Sequence, residues 1–248
     1  MTGVAIITGG SRGIGAASAR RLAEAGYDVC VNYAGDEAAA RSVADDVEKL
    51  GQRAIAFRAD VSDETAVLAM FRAVDGELGR LTALVNNAGI VDLPQPVAEM
   101  TAERLQTMFA VNITGSFLCA REAVLRMSTR YGGSGGGIVN LSSAAAVHGS
   151  PGQYVDYAAS KGAIDSMTVG LAREVADEGI RVNAVRPGII DTEIHASGGI
   201  PDRVAQLKDT IPMKRAGTPD EVAETIVWLL SDKASYCTGA VFNVTGGR

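Results

Sequence analysis

The segment Val4-Ala5-Ile6-Ile7-Thr8-Gly9-Gly10-Ser11-Arg12-Gly13-Ile14-Gly15 decides the fold. A short apolar, β-branched run leads into glycines at 9, 13 and 15, and a helical pattern follows. In a strand-turn-helix unit such glycines let the chain turn tightly. They also let a pyrophosphate approach the amide groups at the helix N-terminus, where the helix dipole stabilises an anion. Gly9, Ser11, Arg12, Gly13, Ile14 and Gly15 are therefore candidate cofactor-binding residues. A purely structural turn is the competing reading, and the rest of the chain has to decide between them.

Six more apolar runs recur between helical patterns: Val29 to Asn32, Ala54 to Arg58, Leu81 to Asn86, Ile138 to Ser142, Arg181 to Arg186 and Ala240 to Val244. With Val4 to Thr8 they make seven candidate strands. Their hydrophobicity is continuous, as in parallel strands covered by helices on both faces. The expected fold is α/β: a doubly wound (Rossmann) seven-stranded parallel sheet with helices on both faces, in a single domain over 1–248. No linker or internal repeat interrupts the rhythm. The run Gly132 to Gly137 precedes a strand instead of leading into a helix, and reads as a flexible helix-to-strand connection. After Pro187-Gly188 the stretch from Ile189 to Ala216 lacks clear periodicity and is expected to be a substrate lid. Thr218-Pro219-Asp220-Glu221 then opens the last helix as a capping box with proline at the first helical position.

A net charge of −6 argues against nucleic acid or an anionic membrane surface as the main partner, since both select basic patches. Val4 to Ile7 is too short for a signal-peptide core, and no apolar stretch is expected to approach the length needed to cross a bilayer, so a cytoplasmic protein is expected. Cys30, Cys119 and Cys237 lack disulfide or metal spacing and read as buried apolar residues; no metal is expected.

At the end of the second strand the chain reads Asn32-Tyr33-Ala34-Gly35, with no acid before Asp36. A carboxylate there would bind the adenosine ribose and repel a 2′-phosphate. Its absence, together with Arg12, which can pair with a phosphate, predicts a preference for NADP(H), with NAD(H) possible. Asp60-Val61 and Asn86-Asn87-Ala88-Gly89 end the third and fourth strands, at the sheet edge where such folds bind ligands.

Tyr157 and Lys161 lie four apart in an expected helix, Gln153 to Ala176, and so share a face. A free tyrosine has a pKa of about 10, and a nearby ammonium lowers it, which makes Tyr157 a candidate general acid and base. Ser143, closing the fifth strand, can hold a carbonyl oxygen. Ser142 is the rival, because adjacent strand residues face opposite ways.

In this order, Thr8 to Gly15, Asp60, Asn86 to Gly89, Asn112, Ser143, Tyr157, Lys161 and Pro187-Gly188 resemble the short-chain dehydrogenase/reductase family over essentially the whole chain. The resemblance implies an NAD(P)-dependent oxidoreductase that interconverts a small-molecule carbonyl and a secondary alcohol, assembled as a homotetramer or homodimer. It implies a relay in which Ser143 binds the carbonyl, Tyr157 transfers the proton, Lys161 also bonds the nicotinamide ribose, and Asn112 links Lys161 to solvent through a water. It also implies cofactor contacts from Asn32, Tyr33, Asp60, Val61, Asn87, Ala88, Gly89, Pro187, Gly188, Ile190 and Thr192, besides the glycine turn. Gly149 to Tyr157 is similar to bacterial sugar or glucose dehydrogenase-like members, although the Ser143 to Tyr157 interval is one residue longer than in many relatives.

Two rival functions stand beside this one. A β-ketoacyl-[acyl-carrier-protein] reductase needs basic docking residues for its acidic partner, and Asp177-Glu178 occupies one such place. A non-catalytic dinucleotide-binding regulator would lack a serine, tyrosine or lysine of the relay, and none is missing. His148, shortly after Ser143, and His195, in the expected lid, are the chain's only histidines; either could touch substrate, with a polar loop residue as the competing reading, and neither has metal-binding partners.

Overall fold

The computed structural model describes residues 3–193, 198–199 and 202–248. Seven strands form one parallel sheet: β1 (Gly3–Ile7), β2 (Tyr27–Tyr33), β3 (Ala54–Arg58), β4 (Leu81–Asn86), β5 (Gly136–Leu141), β6 (Ile180–Pro187) and β7 (Val241–Val244), in the order β3-β2-β1-β4-β5-β6-β7. All seven expected strands are present, with ends moved by a residue or two. The order reverses between β1 and β4, which opens a crevice beyond their carboxyl ends.

The residues of β1 divide between the faces of the sheet. Ala5 and Ile7 join a core with Val29, Val31, Val85 and Val139, covered by α1 (Gly13–Glu24), α2 (Glu37–Lys49) and α9 (Pro219–Leu230). Val4 and Ile6 join a second core with Leu84, Ile138 and Val182, covered by α3 (Glu64–Glu77), α5 (Gly115–Met127) and α7 (Val155–Val175). Burial on both faces explains why the strands read as continuous apolar runs. Phe71 on α3 is fully buried, a contribution of about 2–3 kcal/mol from that side chain.

The glycine run before β5 is not simply flexible. Gly136 and Gly137 lie in the strand, and Cβ atoms at Gly135 and Gly136 would sit 2.5 Å from the carbonyl oxygens of Gly179 and Thr82. These glycines let backbone pack on backbone.

α4 (Ala102–Phe109), a π turn (Ala110–Thr114) and α5 run on as one helix, Ala102–Met127, of 26 residues, whose most apolar window has a mean hydropathy of 1.2. That corrects the expectation from sequence, because length and composition would let this helix span a bilayer. Its run of small and apolar residues has a use inside the protein: Cys119, Ala123 and Met127 pack into the second core. The expected capping box is present on α9, with Thr218 and Glu221 each bonding the other's backbone N–H. The expected lid is pinned at its base, where Asp191 donates its N–H to Gly217 O and Gly217 donates to Ile189 O. Inside it lie the one-turn helix α8 (Arg203–Leu207) and a 3-10 turn, Lys208–Thr210.

Candidate active site

The glycine turn follows β1 at the switch point. Gly9 has a φ of +61°, a conformation that favours glycine. At Gly15 a Cβ would lie 2.6 Å from Asn87 Nδ2 and 3.0 Å from Gly10 Cα. The turn is held by Asn87, whose Nδ2 donates to the carbonyls of Thr8 and Gly9, both at 2.9 Å, and by Thr8 Oγ1, which accepts the N–H groups of Asn87 and Ala88. Arg12 precedes α1 in extended backbone, and no side chain caps the helix. The first N–H groups of α1 are thereby left for a ligand, and no acid sits in its first turn to compete with an anion. The cradle fits a dinucleotide pyrophosphate.

Other expected cofactor residues have different surroundings. Asn32 is buried, accepting the Gly9 N–H and donating to Ala59 O at 2.9 Å, so its side chain braces the turn from behind. Tyr33 is buried at the end of β2. Asp60 accepts from Ser62 N and Oγ, while Val61 is buried with its side chain against Gly115. Asp36 caps α2 by accepting the Ala39 N–H, which leaves the exit of β2 without a committed ribose carboxylate. Arg58, in register beside Tyr33, donates from Nε to Ala34 O and brings a guanidinium to that exit. The sequence reading missed it, because only strand pairing brings β3 beside β2.

At the other end, Ser143 and Tyr157 face the same cavity, close enough for the serine side chain to influence the phenol, and Ser143 Oγ accepts the Ala145 N–H. Ser142 Oγ instead donates to Lys161 O at 3.2 Å and is buried, which separates the two serines. Lys161 lies one helical turn beyond Tyr157, with Nζ 5.8 Å from the Tyr157 ring centroid and donating to Leu141 O at 2.7 Å. Burial pushes the Tyr157 hydroxyl upward, and the nearby Ser143 side chain pulls it back only in part. This reverses the expected direction, because desolvation of the phenolate is the largest influence on the group. Burial also lowers Lys161 to about 8, against a smaller upward pull from Asp165. The outcome is a protonated phenol beside an ammonium that gives up its proton readily.

Asn112 sits in the π turn, a distortion that often marks functional positions. Its Oδ1 accepts the Ile90 N–H at 2.8 Å, and its Nδ2 faces Ile90 O and Ser160 Oγ. Ser160 Oγ in turn donates to Tyr157 O. A Cβ at Gly89 would lie 3.4 Å from Asn112 Oδ1 and 3.5 Å from Lys161 Nζ, which places Gly89 between them.

These groups meet at a cavity of about 430 Å³. Among the expected residues, Ile14, Asn87, Gly89, Ser143, Tyr157, Lys161, Pro187, Gly188, Ile190 and Thr192 line it, as does Ser142. Ala88, Asn112, Asn32, Tyr33, Asp60, Val61 and the turn residues Gly9, Ser11, Arg12, Gly13 and Gly15 do not. His148 reaches the wall from the end of the short helix α6 (Ala145–His148), whereas His195 lies outside the described residues. Tyr154 and Arg248 on the wall were not anticipated. For Tyr154 the available signal was an aromatic residue nearly one helical turn before Tyr157. Among the described lining residues none is Asp or Glu.

Residues 9–248 match the family model described as Enoyl-(Acyl carrier protein) reductase. The chain is 56% identical over 245 residues to the "Uncharacterized oxidoreductase YgfF" of Escherichia coli, covering 99% of each. It is 38% identical over 248 residues to the 3-oxoacyl-[acyl-carrier-protein] reductase FabG of Staphylococcus aureus, covering 100% of this chain and 98% of that protein. A solved short chain dehydrogenase from Burkholderia cenocepacia, in complex with NADP, superposes with a TM-score of 0.90 at 33% identity, covering 98% of this chain and 96% of that one.

Proposed function

The chain belongs to the short-chain dehydrogenase/reductase family and is an NAD(P)-dependent oxidoreductase, and on that premise we propose that it reduces a polar ketone or aldehyde with NADPH, or oxidises the matching alcohol. The single observation that carries this reading is the meeting of Ser143, Tyr157 and buried Lys161, one helical turn beyond Tyr157, on one cavity that also takes in Ile14 of the first turn of α1. When bound, the nicotinamide supplies or accepts the hydride.

In this scheme Gly9 to Gly15 hold the pyrophosphate, Asn87 and Gly89 line the passage to the chemistry, and Pro187, Gly188, Ile190 and Thr192 close the opposite wall. Ser143 donates to the substrate carbonyl oxygen and stabilises its negative charge as it develops. Tyr157 gives its proton to the same oxygen during reduction and takes it back during oxidation. Lys161, held by Leu141 O, offsets the phenolate charge and returns a proton to it from the Asn112 side. Arg12, together with Arg58 at the β2 exit, grips a 2′-phosphate where that exit lacks an acid. The acid-free wall and His148 suit a polar substrate, and the segment 189–216 selects it.

Similarity to the FabG protein supports a second reading, 3-oxoacyl-[acyl-carrier-protein] reduction. Against it, Glu178 pairs with Ser128 and Arg130 at an acidic helix end instead of offering a cation to an acidic carrier. The proposal extends to a cytoplasmic homotetramer or homodimer acting on small molecules, without nucleic acid or membrane partners. The exposed Phe117 and Leu125 on α5 support an oligomer.

The test is NADPH and NADH oxidation by purified protein against aldehydes, ketones, diketones, keto-sugars and an acetoacetyl thioester. NADPH is expected to bind at least about tenfold tighter than NADH, and Arg12→Ala to remove about 1–2 kcal/mol of that difference. Equal dissociation constants for the two cofactors in the wild type would sink the preference, and turnover confined to the thioester would favour the second reading.

A further inference from the structure

The scheme above leaves one buried ion pair without a role. Asp156 immediately precedes Tyr157 in the first turn of α7; its side chain is fully buried, and that of Arg104, on the first turn of α4, is 8% exposed. Burying two charges costs desolvation that their attraction seldom repays, so such a pair is weak evidence for stability. Its hydrogen bonds point elsewhere.

Asp156 Oδ2 accepts from Arg104 Nε at 2.8 Å, while Oδ1 accepts from Arg104 Nη2 at 3.4 Å and from the backbone N–H of Tyr157 at 2.9 Å. On the far side, Arg104 Nη1 donates to Leu93 O at 2.7 Å and Gln95 Oε1 at 3.3 Å, with Asp92 Oδ2 at 3.6 Å. That loop leaves β4 through Val91, on the cavity wall. It is tied again to the approach to α7, where the Gln95 N–H donates to Gln153 O. It also meets the lid: Leu93 Cδ2 packs against Gly199, next to Gly198, whose carbonyl accepts from the Tyr154 hydroxyl at 3.4 Å. Arg104 and Asp156 thus tie the start of the helix that carries Tyr157 to the loop after β4, and through Leu93 and Tyr154 this unit meets the described part of the lid.

We propose that Asp156 and Arg104 are positioning residues with separate effects: Asp156 sets the placement of Tyr157 through its backbone N–H, and Arg104 sets the substrate wall formed by residues 91–95 against Gly198-Gly199. The inference rests on the reading of Tyr157 as the proton donor. The two effects fall on different kinetic constants. Misplacing the donor lowers kcat, because proton transfer needs its geometry in the transition state; loosening the wall raises KM.

Two double variants avoid leaving a lone buried charge, the change most prone to unfold the protein. Arg104→Leu/Asp156→Ala removes the Tyr157 acceptor and the guanidinium, whereas Arg104→Leu/Asp156→Asn keeps an oxygen for the Tyr157 N–H. The first is expected to lose at least about tenfold in kcat with the NADPH dissociation constant within about twofold, and to exchange the Tyr157 amide hydrogen at least about tenfold faster. The second is expected to regain most of kcat and keep a KM raised at least about threefold. A purely structural pair would lower Tm in both while leaving kcat, KM and their contrast unchanged, and that result overturns the proposal. Absence of any NADPH-dependent carbonyl turnover in the wild type would refute the reading of Tyr157 instead. Amide exchange then decides on its own: an unchanged rate at Tyr157 in the Ala variant overturns the positioning role, and a faster one supports it.

Discussion

Gly15→Ala is expected to damage the cofactor turn although alanine is the better helix former. The added methyl would stand 2.6 Å from Asn87 Nδ2, 3.0 Å from Gly10 Cα and closer still to Gly9 O, two of them backbone atoms that cannot rotate away. Overpacking of this kind costs about 1–3 kcal/mol. Displacing Asn87 forfeits its two 2.9 Å hydrogen bonds to Thr8 O and Gly9 O, about 1 kcal/mol each. Alanine's helical advantage offsets about 0.5–1 kcal/mol, which leaves a net cost of about 2–4 kcal/mol. If the turn holds its shape, the cost appears as a Tm lower by roughly 5–15 °C for a chain of this size. If the turn yields, the amide cradle is lost, and the NADPH dissociation constant rises by a tenfold step for each 1.4 kcal/mol. Thermal melting and fluorescence titration of NADPH read both. Gly76→Ala on α3 is the control, because a Cβ there meets nothing within 4 Å, and it is expected to stabilise by about 0.5–1 kcal/mol. A Gly15→Ala protein that melts and binds NADPH like the wild type would refute the close-approach argument.

Two further expectations concern the chemistry. Because burial holds Lys161 at about 8 and pushes Tyr157 upward, Tyr157 stays protonated while Lys161 loses its charge as pH rises through about 8. kcat/KM for carbonyl reduction should therefore fall above about pH 8. Asp165 raises Lys161, so Asp165→Asn should move that limb to lower pH; a limb that stays put or moves up contradicts the assignment. Ser143→Ala should lower kcat about a hundredfold with NADPH affinity unchanged, whereas Ser142→Ala, which loses only the bond to Lys161 O, should alter kcat a few fold at most. Equal losses in the two variants would reopen the choice between the serines.

The sheet was legible because its strands are buried on both faces, and a continuous apolar run between helical patterns has few other uses. Strand ends were less so. β2 begins at Tyr27 because pairing with Gly3 on β1 extends it, and Gly136-Gly137 belong to β5 through contacts with β4 and α5 that no local signal announces. The helix around Asn112 was hidden for a related reason: its π turn follows from tertiary hydrogen bonds to Ile90 and Ser160. At the site, Ser143, Tyr157 and Lys161 could be picked out by type and spacing. Proton affinities could not, since burial, which no local pattern announces, is the largest influence on Tyr157. Nor could the Arg104–Asp156 pair, whose members are 52 residues apart and meet only when α4 packs on α7.

The most direct test of the account is Tyr157→Phe, compared with the wild type for NADPH binding and for NADPH oxidation with the best carbonyl found. Loss of the phenol hydroxyl removes the proton donor but leaves the glycine turn, Asn87, Ser143 and Lys161 in place. The account predicts an NADPH dissociation constant within about twofold of the wild type and turnover lower by about 10²–10⁴-fold. A Tyr157→Phe protein that turns over at the wild-type rate would contradict it.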